Sequence, residues 1–491
     1  MLSALNCGVG TLLTIKCDDM INVTLLHPSS QFCVNEMIVQ EHAGNGIGKK
    51  PPLGILYVAS YLQKHLGIRP TIIDADAEKL NIEQTVKRVL DLECDVLGIS
   101  AWSNYWYFCH EVAKLVKAVR QNVHICMGGP HVRVFPAETL NSKYVDSIVV
   151  GDGEAPFATL LGSLKGTARQ TKGLYVKGDL PVTYVPYKTT DVDALPLPDR
   201  SMINAELYSS VVAKHNKVTT MITSRGCPYR CIFCKVEGQP IMSRSASSVV
   251  DEIEAICKAG YYEIEIYDDT FTWSKMRVKE ICNGIIKRKL KIRWSIRDRV
   301  NNADPEMLKL MKEAGCARVH YGVESGVQRV LDRIKKGITI DQINFAVNEA
   351  KKTKMEVLCY FMLGLPDESI DDIESTIELA TKLNPDYATF CIAIPYPGTE
   401  MYGWALKNKI IPYDYWQCFA NNPTKDFKIP HYIDNNVSLD TLIHYRNVAF
   451  RKFYLRPKYL IRTLSQIRSL GELFRKGKMG LGLVQQTIEP N

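Results

Sequence analysis

The segment 218-VTTMITSRGCPYRCIFCK-235 joins an apolar, strand-like run to a loop that carries three cysteines, Cys227, Cys231 and Cys234. Because the loop follows the run directly, its cysteines lie where the carboxyl end of a strand would place them. Folds built on parallel strands bind their ligands at that end. The segment therefore predicts both a strand of a parallel sheet and a metal-binding loop at the functional edge of that sheet.

Five further strand-like runs follow the cysteine loop, with room for a helix between each pair. They are EIEIYDD (263–269), IRWSIR (292–297), ARVHYGVES (317–325), VLCYFMLGLP (357–366) and DYATFCIAIP (386–395). Strands that alternate with helical segments predict a parallel α/β sheet. Six strand–helix units are too few for a complete eight-fold barrel, so we expect a partial (β/α)6 TIM-type barrel over residues 213–400.

A separate alternating series occupies the first third of the chain. Its strands are predicted at INVTLL (21–26), TIIDAD (71–76), DVLGIS (95–100), VHICMGG (123–129) and SIVVGDGE (147–154), with helices at 51–67, 82–93 and 107–120. This pattern predicts a doubly wound, Rossmann-like domain over residues 20–165. We expect residues 1–19 to be an extension rather than a signal peptide, 166–212 to be a linker and 401–491 to be a helical C-terminal region.

Length and composition favour a globular protein of two or three domains. The chain has 491 residues, of which 46% are hydrophobic and 23% charged. No apolar run approaches the roughly 18 residues of a membrane-spanning helix. Of the fifteen cysteines, twelve are scattered singly, which favours a reducing, cytoplasmic compartment over a disulfide scaffold.

The three clustered cysteines leave two metal-site interpretations open. Zinc takes four ligands on one ion, usually from paired C-x-x-C knuckles or nearby histidines. Here Cys231 and Cys234 form the one close pair, and no Cys or His occurs in the next twenty residues. A C-x3-C-x2-C loop can instead supply three thiolates to a four-iron four-sulfur (4Fe-4S) cluster. The fourth iron would then be open to a substrate or cofactor.

The spacing of Cys227, Cys231 and Cys234, with Phe233 before the last cysteine, resembles the signature of the radical S-adenosylmethionine (SAM) superfamily. The resemblance covers roughly residues 20 to 460. It implies a 4Fe-4S cluster whose open iron is chelated by SAM. It also implies reductive cleavage of SAM to a 5′-deoxyadenosyl radical, which abstracts hydrogen from an unactivated carbon. The electron would come from an external flavodoxin- or ferredoxin-type reductant.

The same resemblance assigns SAM-binding roles to residues at successive strand ends. The acidic groups suit the methionine amino group or the ribose hydroxyls, an arginine suits the carboxylate, and the GLP turn at 364–366 suits the adenine. Arg297 is the alternative arginine if the register shifts by two residues. The expected SAM-binding residues are Phe233, Tyr267, Asp268, Asp269, Arg299, Glu324, Gly364 and Pro366.

The first domain is similar to cobalamin-binding domains. A serine after the third strand and paired glycines after the fourth resemble the elements that line the channel for the nucleotide tail, because glycines let a flat group lie against the backbone. The GDGE sequence at 151–154 resembles the closing turn of the same domain. The expected cobalamin-binding residues are Ser100, Trp102, Gly128, Gly129, Gly151, Gly153 and Glu154.

The D-x-H-x-x-G sequence that supplies an axial histidine in many cobalamin proteins does not occur here. The corresponding loop reads LLHPSSQF, in which His27 is interpreted as a loop residue. His131 in GGPH is interpreted as a packing or hydrogen-bonding residue. We therefore expect cobalamin to be bound without a histidine ligand below the cobalt.

Two enzymatic hypotheses share all of these motifs. One is a class B radical SAM methyltransferase that transfers a methyl group from methylcobalamin to carbon. The other resembles the anaerobic magnesium-protoporphyrin ester cyclase, an oxidative cyclase or carbon–carbon bond-forming enzyme on a lipid or tetrapyrrole. A non-enzymatic cobalamin or iron–sulfur sensor is disfavoured by the ordered strand-end motifs. A transfer-RNA methylthiolating enzyme is disfavoured because the first domain lacks a further cluster spacing.

The end of the chain is basic, with ten Lys or Arg against two Glu from His444 onward. The segment 445-YRNVAFRKFYLRPKYLIRTL-464 interleaves aromatic and basic residues. It predicts a capping helix with a solvated basic side; peripheral contact with the inner face of a membrane is the alternative, and nucleic acid is disfavoured. We expect a small-molecule, lipid or tetrapyrrole substrate.

Overall fold

The computed structural model describes residues 21–34, 48–167, 171–179, 181, 183–210, 212–215, 217–236, 238–429 and 437–466. The predicted extension 1–19 and the end of the C-terminal region, 467–491, lie outside the described residues. The chain divides into two compact units. The first consists of Met1–Gln40, Pro51–Leu207 and Tyr415–Lys428, and the second of Glu41–Lys50, Tyr208–Asp414 and Ile429–Asn491. The functional domain boundaries remain predictions.

The first unit is built on a six-stranded sheet. Its strands are β1 (Val23–His27), β2 (Thr71–Asp74), β3 (Val96–Ser100), β4 (His124–Gly128), β5 (Ser147–Val149) and β6 (Leu174–Val176), in the spatial order β2-β1-β3-β4-β5-β6. Strands β1 to β5 are parallel and β6 pairs antiparallel with β5. The doubly wound fold is thus confirmed. The edge strand β6 comes from the segment that we had expected to be only a linker.

Helices connect these strands; the first three lie at the predicted positions, and the other three were not predicted. They are α1 (Leu53–Leu66), α2 (Ile82–Asp91), α3 (Trp106–Val119), α4 (Pro130–Val134), α5 (Pro136–Asn141) and α6 (Glu154–Leu164). Gly67 ends α1 in the left-handed conformation, with φ of 68°. Asn81 and Gln84 begin α2 with a reciprocal capping box. Local sequence signals therefore set these boundaries.

The second unit is built on six parallel strands. They are β7 (Val218–Met221), β10 (Glu263–Ile266), β11 (Arg293–Asp298), β12 (Cys316–Glu324), β13 (Glu356–Leu363) and β14 (Tyr387–Ile392), in the order β14-β13-β12-β11-β10-β7. Helices α7 (Ala246–Lys258), α8 (Lys275–Lys287), α9 (Pro305–Glu313), α10 (Gln328–Arg333), α11 (Ile340–Lys352) and α12 (Ile370–Leu383) connect them. Strands β7 and β14 are the two edges of the sheet, as predicted for a partial barrel.

The barrel strands carry apolar residues on their helix-facing side and polar residues on the other. On β11, Trp294 and Ile296 are buried, and the indole of Trp294 donates to the Ala314 carbonyl at the end of α9. Arg293 and Arg297 occupy the alternate positions. Because successive side chains of a strand point to opposite faces, the interior of the barrel is lined by polar groups.

Among the described residues, four helices follow the barrel: α13 (Glu400–Lys407), α14 (Tyr415–Asn421), α15 (Leu439–Tyr454) and α16 (Pro457–Gln466). The hydroxyl of Tyr454 on α15 accepts from the Ala388 N–H at 3.0 Å and donates to the Ala388 carbonyl at 2.7 Å. It thereby occupies backbone groups of the edge strand β14 that have no neighbouring strand. Within the described part of the chain, no helix is long and apolar enough to cross a membrane.

Candidate active site

A short antiparallel hairpin supports the loop of three cysteines. Its strands, β8 (Ser224–Arg225) and β9 (Met242–Ser243), pair at the base of the loop. Gly226 enters the loop with φ of 96°, and a Cβ there would lie 2.4 Å from the Pro240 carbonyl oxygen. Only glycine permits this close approach of the two backbone segments. The position before the first cysteine is therefore fixed by the geometry of the loop.

The three cysteines of the loop form no disulfide; Cys231 is buried, and Cys227 and Cys234 are partly exposed. The guanidinium of Arg299 donates from Nη1 to Sγ of Cys231 at 3.4 Å. Burial, together with the charges of Cys231, Asp269 and Cys227, raises the pKa of Cys234 to about 11. A cationic metal group bound here would offset that cost, because metals bind cysteine as the thiolate.

The cysteine loop supplies three thiolates for a metal group. Zinc would need a fourth ligand on the same ion. A 4Fe-4S cluster instead takes its thiolates on separate irons, and three cysteines from one loop can supply them. The residues present therefore fit the cluster.

The carboxyl end of β10 holds the predicted Tyr267, Asp268 and Asp269. Asp268 is buried, and its carboxylate accepts from the backbone N–H and hydroxyl of Thr223 at 2.6 and 2.5 Å and from the hydroxyl of Ser224 at 2.7 Å. These contacts tie β10 to the chain just before the cysteine loop. Asp268 thus has a clear structural role, and its contact with SAM stays a prediction.

Asp269 points toward the start of the cysteine loop. Burial raises the pKa of the Asp269 carboxyl, and the charge of Asp268 raises it further. A hydrogen bond from the Gly226 backbone N–H lowers this pKa in part. The ring of Tyr267 lies 3.5 Å below the guanidinium carbon of Arg297. Of the predicted group on β10, Asp269 is the acid best placed for a cofactor beside the cysteines.

The two arginines after β10 occupy different layers of the barrel. Arg299 is buried, stacks 3.7 Å from the Tyr229 ring and donates to the Lys336 carbonyl as well as to Cys231. Arg297 lies two residues earlier on β11 and contacts Tyr267. The structure therefore brings Arg299 to the cysteine loop and Arg297 to the barrel interior. Which of the two arginines binds the SAM carboxylate stays a prediction.

Glu324 ends β12 in a strained conformation, with φ of 67°. Its carboxylate accepts from Nζ of Lys336 at 2.7 Å, and both side chains are buried. A Cβ at Gly322 would lie 2.6 Å from the Glu324 carboxylate and 2.8 Å from Lys336 Nζ. The amine of Lys336 also lies 5.9 Å from the ring centre of Phe233. The glycine thus makes room for an ion pair next to the cysteine loop.

The GLP turn after β13 is held by a residue beyond it. Glu368 accepts from the backbone N–H groups of Gly364 at 2.6 Å and Leu365 at 3.1 Å. A Cβ on Gly364 would lie 2.7 Å from the side chain of Leu442 on α15. The packing of α15 therefore already requires Gly364, and the adenine contact expected of Gly364 and Pro366 stays a prediction.

The predicted cobalamin residues lie at the carboxyl edge of the first-unit sheet. A Cβ at Gly128 would meet nothing nearer than Val149, at 3.7 Å, whereas one at Gly129 would lie 2.8 Å from the Ala101 carbonyl oxygen. Trp102 is 45% exposed at this edge. A Cβ at Gly128 would thus make only ordinary contacts, and its expected role toward the corrin or its nucleotide tail stays a prediction. Gly129 is required by the fold itself.

The GDGE turn is engaged within the first unit. Gly151 has φ of 100°, and a Cβ there would lie 2.1 Å from the Tyr187 carbonyl oxygen. The carboxylate of Asp152 accepts from the Thr189 N–H at 2.8 Å. Gly153 precedes α6, whose first residue, Glu154, is buried. The turn therefore anchors residues 187–189, and its contribution to cobalamin binding stays a prediction.

His131 is a packing residue, as predicted. It is fully buried, its ring stacks on Trp106 with centroids 4.2 Å apart, and Nδ1 lies 3.2 Å from the hydroxyl of Ser103. Burial lowers the pKa of His131 to about 3, so the imidazole is neutral at ordinary pH. The half-buried His27 is the last residue of β1. Its interpretation as a loop residue is wrong, because the strand extends one residue beyond its predicted end.

Two sequence families match the two predicted regions. Residues 47–161 match the B12 binding domain and residues 221–380 match the radical SAM superfamily. An uncharacterized methyltransferase of Pyrococcus horikoshii is 34% identical over 430 residues, which is 84% of this chain and 90% of that protein. The chain belongs to the radical SAM superfamily. As a radical SAM enzyme with a B12 binding domain, it uses a 4Fe-4S cluster, SAM and cobalamin.

More distant relatives of this radical SAM enzyme are also similar over most of its length. The anaerobic magnesium-protoporphyrin IX monomethyl ester cyclase of Rubrivivax gelatinosus is 26% identical over 470 residues, 89% of this chain and 83% of the relative. The cytidylyl-2-hydroxyethylphosphonate methyltransferase of Streptomyces wedmorensis is 27% identical over 412 residues, 71% of this chain and 77% of the relative.

Two solved structures share the fold of this radical SAM enzyme. The cobalamin-dependent SAM radical enzyme OxsB aligns over 96% of this chain and 72% of its own, with a TM-score of 0.72 and 18% identity. The radical SAM methyltransferase TsrM of Kitasatospora setae aligns over 95% and 99%, with a TM-score of 0.69 and 14% identity. These likenesses concern the arrangement of the chain.

Sequence reasoning missed the partners that hold the predicted residues of this radical SAM enzyme. Lys336 pairs with Glu324, Thr223 binds Asp268, and Glu368 binds the GLP turn. A lysine at the end of a short helix or a glutamate in a turn carries no signal of its own in a sequence. The glycine in YGVES was the available clue, because a glycine inside a strand often marks a close approach.

Proposed function

We propose that this radical SAM enzyme is a cobalamin-dependent methyltransferase that methylates an unactivated carbon of a small molecule. The observation that carries the proposal is the 34% identity to a methyltransferase over 84% of the chain, together with the cofactor families found at both ends of it. When bound, the cluster and SAM supply hydrogen-abstracting radical chemistry, and cobalamin supplies a transferable methyl group.

The barrel residues would hold and orient the radical-forming cofactors. Cys227, Cys231 and Cys234 would ligate three irons. The N–H of Arg299 that reaches Cys231 would stabilise negative charge on that sulfur, and such hydrogen bonds tune cluster potentials. The expected SAM contacts are Phe233, Tyr267, Asp268, Asp269, Arg299, Glu324, Gly364 and Pro366. Within this set, Glu324 is already oriented by Lys336 and needs no rearrangement to accept from a ligand.

The first unit would hold the corrin at the carboxyl ends of its strands. Gly128 has no side chain, which lets a flat group approach the backbone, and Trp102 offers an exposed apolar surface. The proposal includes no histidine ligand to cobalt, neither His131, which is stacked in the core, nor the half-buried His27. The proposed functional domains are residues 20–165 for cobalamin and 213–400 for the radical chemistry. Ser100, Gly129, Gly151, Gly153 and Glu154 complete the proposed set of cobalamin residues.

The cyclase of Rubrivivax gelatinosus supports a second outcome of the same chemistry. Its name describes a tetrapyrrole ester, so a tetrapyrrole is the finer proposal for the substrate class, with a lipid as the alternative. Ring formation would consume SAM as a radical source without transferring its methyl group. The two outcomes therefore differ in the products of SAM.

The test is anaerobic reconstitution with iron, sulfide and cobalamin, followed by incubation with SAM and a one-electron reductant such as reduced flavodoxin. Methyl transfer predicts both 5′-deoxyadenosine and S-adenosylhomocysteine, whereas cyclisation predicts 5′-deoxyadenosine alone. Absence of both products from preparations with full iron and corrin content would reject the enzymatic proposal.

Peripheral membrane contact by the basic C-terminal region remains a separate proposal. Arg462 on α16 donates to the Pro385 carbonyl at 2.9 Å, which anchors the helix beside the start of β14. Ile461 on the same helix is 68% exposed. Deleting residues 457–491 should abolish binding to anionic liposomes if α16 makes the contact. Unchanged binding would leave α16 as a cap of the barrel.

A further inference from the structure

The floor of the barrel interior is a compact set of ion pairs. Arg318 is fully buried and lies 3.2 Å from Glu356 and 3.7 Å from Glu263. Arg293 lies 2.7 and 3.4 Å from the same two acids. Because two cations face two acids, this part of the interior is electrically balanced. Lys214, which is mostly exposed, adds a cation at its outer rim.

A lysine from outside the barrel completes the floor. Nζ of Lys50 lies 2.9 Å from Oε1 of Glu265. Burial alone raises the pKa of Glu265, but Lys50, Ser210 and Arg318 outweigh it and hold the pKa at about 2. Glu265 is therefore ionised and is matched by Lys50. The charges of the floor are therefore paired with one another, so the floor does not favour the binding of a further ion.

Arg297 stands one layer above this floor without an acid of its own. It forms no salt bridge with any residue that the structure describes. Its guanidinium stacks on Tyr267 and lies beside the hydroxyl of Tyr360. A half-buried arginine without a salt bridge to a described residue retains N–H donors in the plane of its fork. Among the inward-facing strand residues of this layer, Arg297 provides an unmatched positive charge.

The hydrogen-bond directions around Tyr360 leave its own proton available. Arg318 can only donate, so its bond to Nε2 of His320 at 3.0 Å places the imidazole proton on Nδ1. Burial, with the charges of Arg318 and Arg297, holds the pKa of His320 well below its ordinary value, so the ring is neutral. Nδ1 then donates to the hydroxyl of Tyr360 at 2.9 Å.

The Tyr360 oxygen thus accepts from His320 and lies beside the guanidinium of Arg297. A phenol has two lone pairs and one proton, and burial raises the pKa of Tyr360, which keeps that proton in place. No acceptor for it exists among the described residues. The hydroxyl of Tyr360 and the guanidinium of Arg297 are therefore neighbouring hydrogen-bond donors in the half-buried upper layer of the barrel.

From this geometry we infer that Arg297 and Tyr360 form a binding site for an anionic group of the substrate, either a carboxylate or a phosphoryl group. Both groups accept from a planar arginine fork and a neighbouring hydroxyl. The inference rests on the proposed function, because the barrel interior is then the substrate chamber. Tyr267 orients the guanidinium by stacking, and the Arg318–His320 chain orients the hydroxyl.

The test uses the reconstituted enzyme saturated with SAM and measures thermal unfolding in sodium phosphate, sodium acetate or sodium chloride at equal ionic strength. Phosphate or acetate should raise the unfolding temperature above that in chloride. Arg297→Gln should weaken this anion binding by about tenfold to a hundredfold, as expected for a lost charged hydrogen bond. Arg288→Gln, the same change at the exposed end of α8, should leave it unchanged. Stabilisation by phosphate alone would assign a phosphoryl group, and by acetate alone a carboxylate.

Three results would overturn the inference. The first is equal anion binding by the wild type and Arg297→Gln, and the second is no anion binding by the wild type. The third is a loss of SAM binding in Arg297→Gln with Arg288→Gln unaffected, which would assign Arg297 to the SAM carboxylate. If Arg297→Gln does not fold, Arg297→Lys and Tyr360→Phe decide, since each should weaken anion binding about threefold or more. Formation of 5′-deoxyadenosine by the wild type, measured without added anion, tests the proposed function separately.

Discussion

Nζ of Lys336 lies 2.7 Å from Oε1 of Glu324, and the pair is buried beside the cysteine loop. Glu324 belongs to β12, whereas Lys336 follows the short helix α10. The pair therefore fixes the segment after α10, whose Lys336 carbonyl accepts from Arg299 and whose Ile334 carbonyl accepts from Ile232 at 3.1 Å. One ion pair thus connects the end of a strand to the loop expected to hold the cluster.

Lys336→Met should lower the free energy of unfolding by about 3–5 kcal/mol, because it leaves the Glu324 charge buried without a partner. Urea denaturation measures this. The double variant Glu324→Gln, Lys336→Met should regain much of the loss. Lys335→Met removes a neighbouring but exposed pair with Glu400 and should cost about 0–1 kcal/mol. Equal losses for the two lysines would contradict the buried pair.

Asp268→Asn should destabilise the protein by about 1–3 kcal/mol, since Thr223 and Ser224 lose a charged acceptor. Its SAM affinity should change little if the carboxylate serves the fold. Asp269→Asn is the matched variant, and we expect it to weaken SAM binding with little change in stability. Both quantities can be measured by denaturation and by equilibrium dialysis of SAM. The reverse pattern would assign the SAM contact to Asp268.

Replacing any of Cys227, Cys231 and Cys234 with alanine should remove the cluster and all formation of 5′-deoxyadenosine. Cys316→Ala is the control, because Cys316 is fully buried on β12 outside the loop. It should keep the iron and cost about 1 kcal/mol of stability through lost packing. Iron content after anaerobic reconstitution is the measurement. Full iron content in a loop variant would contradict the assignment of that cysteine.

Glu368 contributes a decrease in stability as pH rises through the neutral range. Burial raises the pKa of Glu368 to about 8, although hydrogen bonds from the Leu365 and Gly364 N–H groups lower it. The charge of Asp372 adds to the increase, and that of Arg329 opposes it. The unfolded carboxyl has a pKa of about 4.3. Between these two values the folded state holds the proton that the unfolded state has lost, so unfolding becomes easier as pH increases.

Relative to Glu368→Gln, the urea midpoint of the wild type should therefore decline between about pH 5 and pH 8. Glu378→Gln, on the exposed side of α12, should keep the wild-type pH dependence. Parallel midpoints of the wild type and Glu368→Gln over this range would show that Glu368 is ionised in the folded protein.

The sequence predicted the two α/β units well because their periodicity is strong. Buried runs such as DVLGIS and helices with clear ends, such as α1 before Gly67, leave few alternatives. The three-residue strand β6 was not predicted, because a run of three residues in a proline-rich segment is too short to show the alternation of a strand. The predicted linker thereby contributes an edge of the first sheet.

The candidate site was predictable only in part. A motif places Glu324 and Arg299 at strand ends, but it does not reveal which buried partner each one has. The alternation in EIEIY and RVHYG was an available signal that Glu263, Glu265, Arg318 and His320 share one face, and the sequence analysis did not use it. What it could not provide is the direction of each hydrogen bond, which depends on contacts between distant strands. The unmatched Arg297 emerges only from that full set of pairs.

The central claim is methyl transfer to carbon by a radical route, and isotope labelling tests it most directly. The reconstituted enzyme is given SAM with a trideuterated methyl group, a reductant and a small-molecule extract of cells that lack the protein. The account predicts 5′-deoxyadenosine, S-adenosylhomocysteine and one extract component that gains a trideuterated methyl group. Formation of 5′-deoxyadenosine with a modified extract component but no label and no S-adenosylhomocysteine would contradict it.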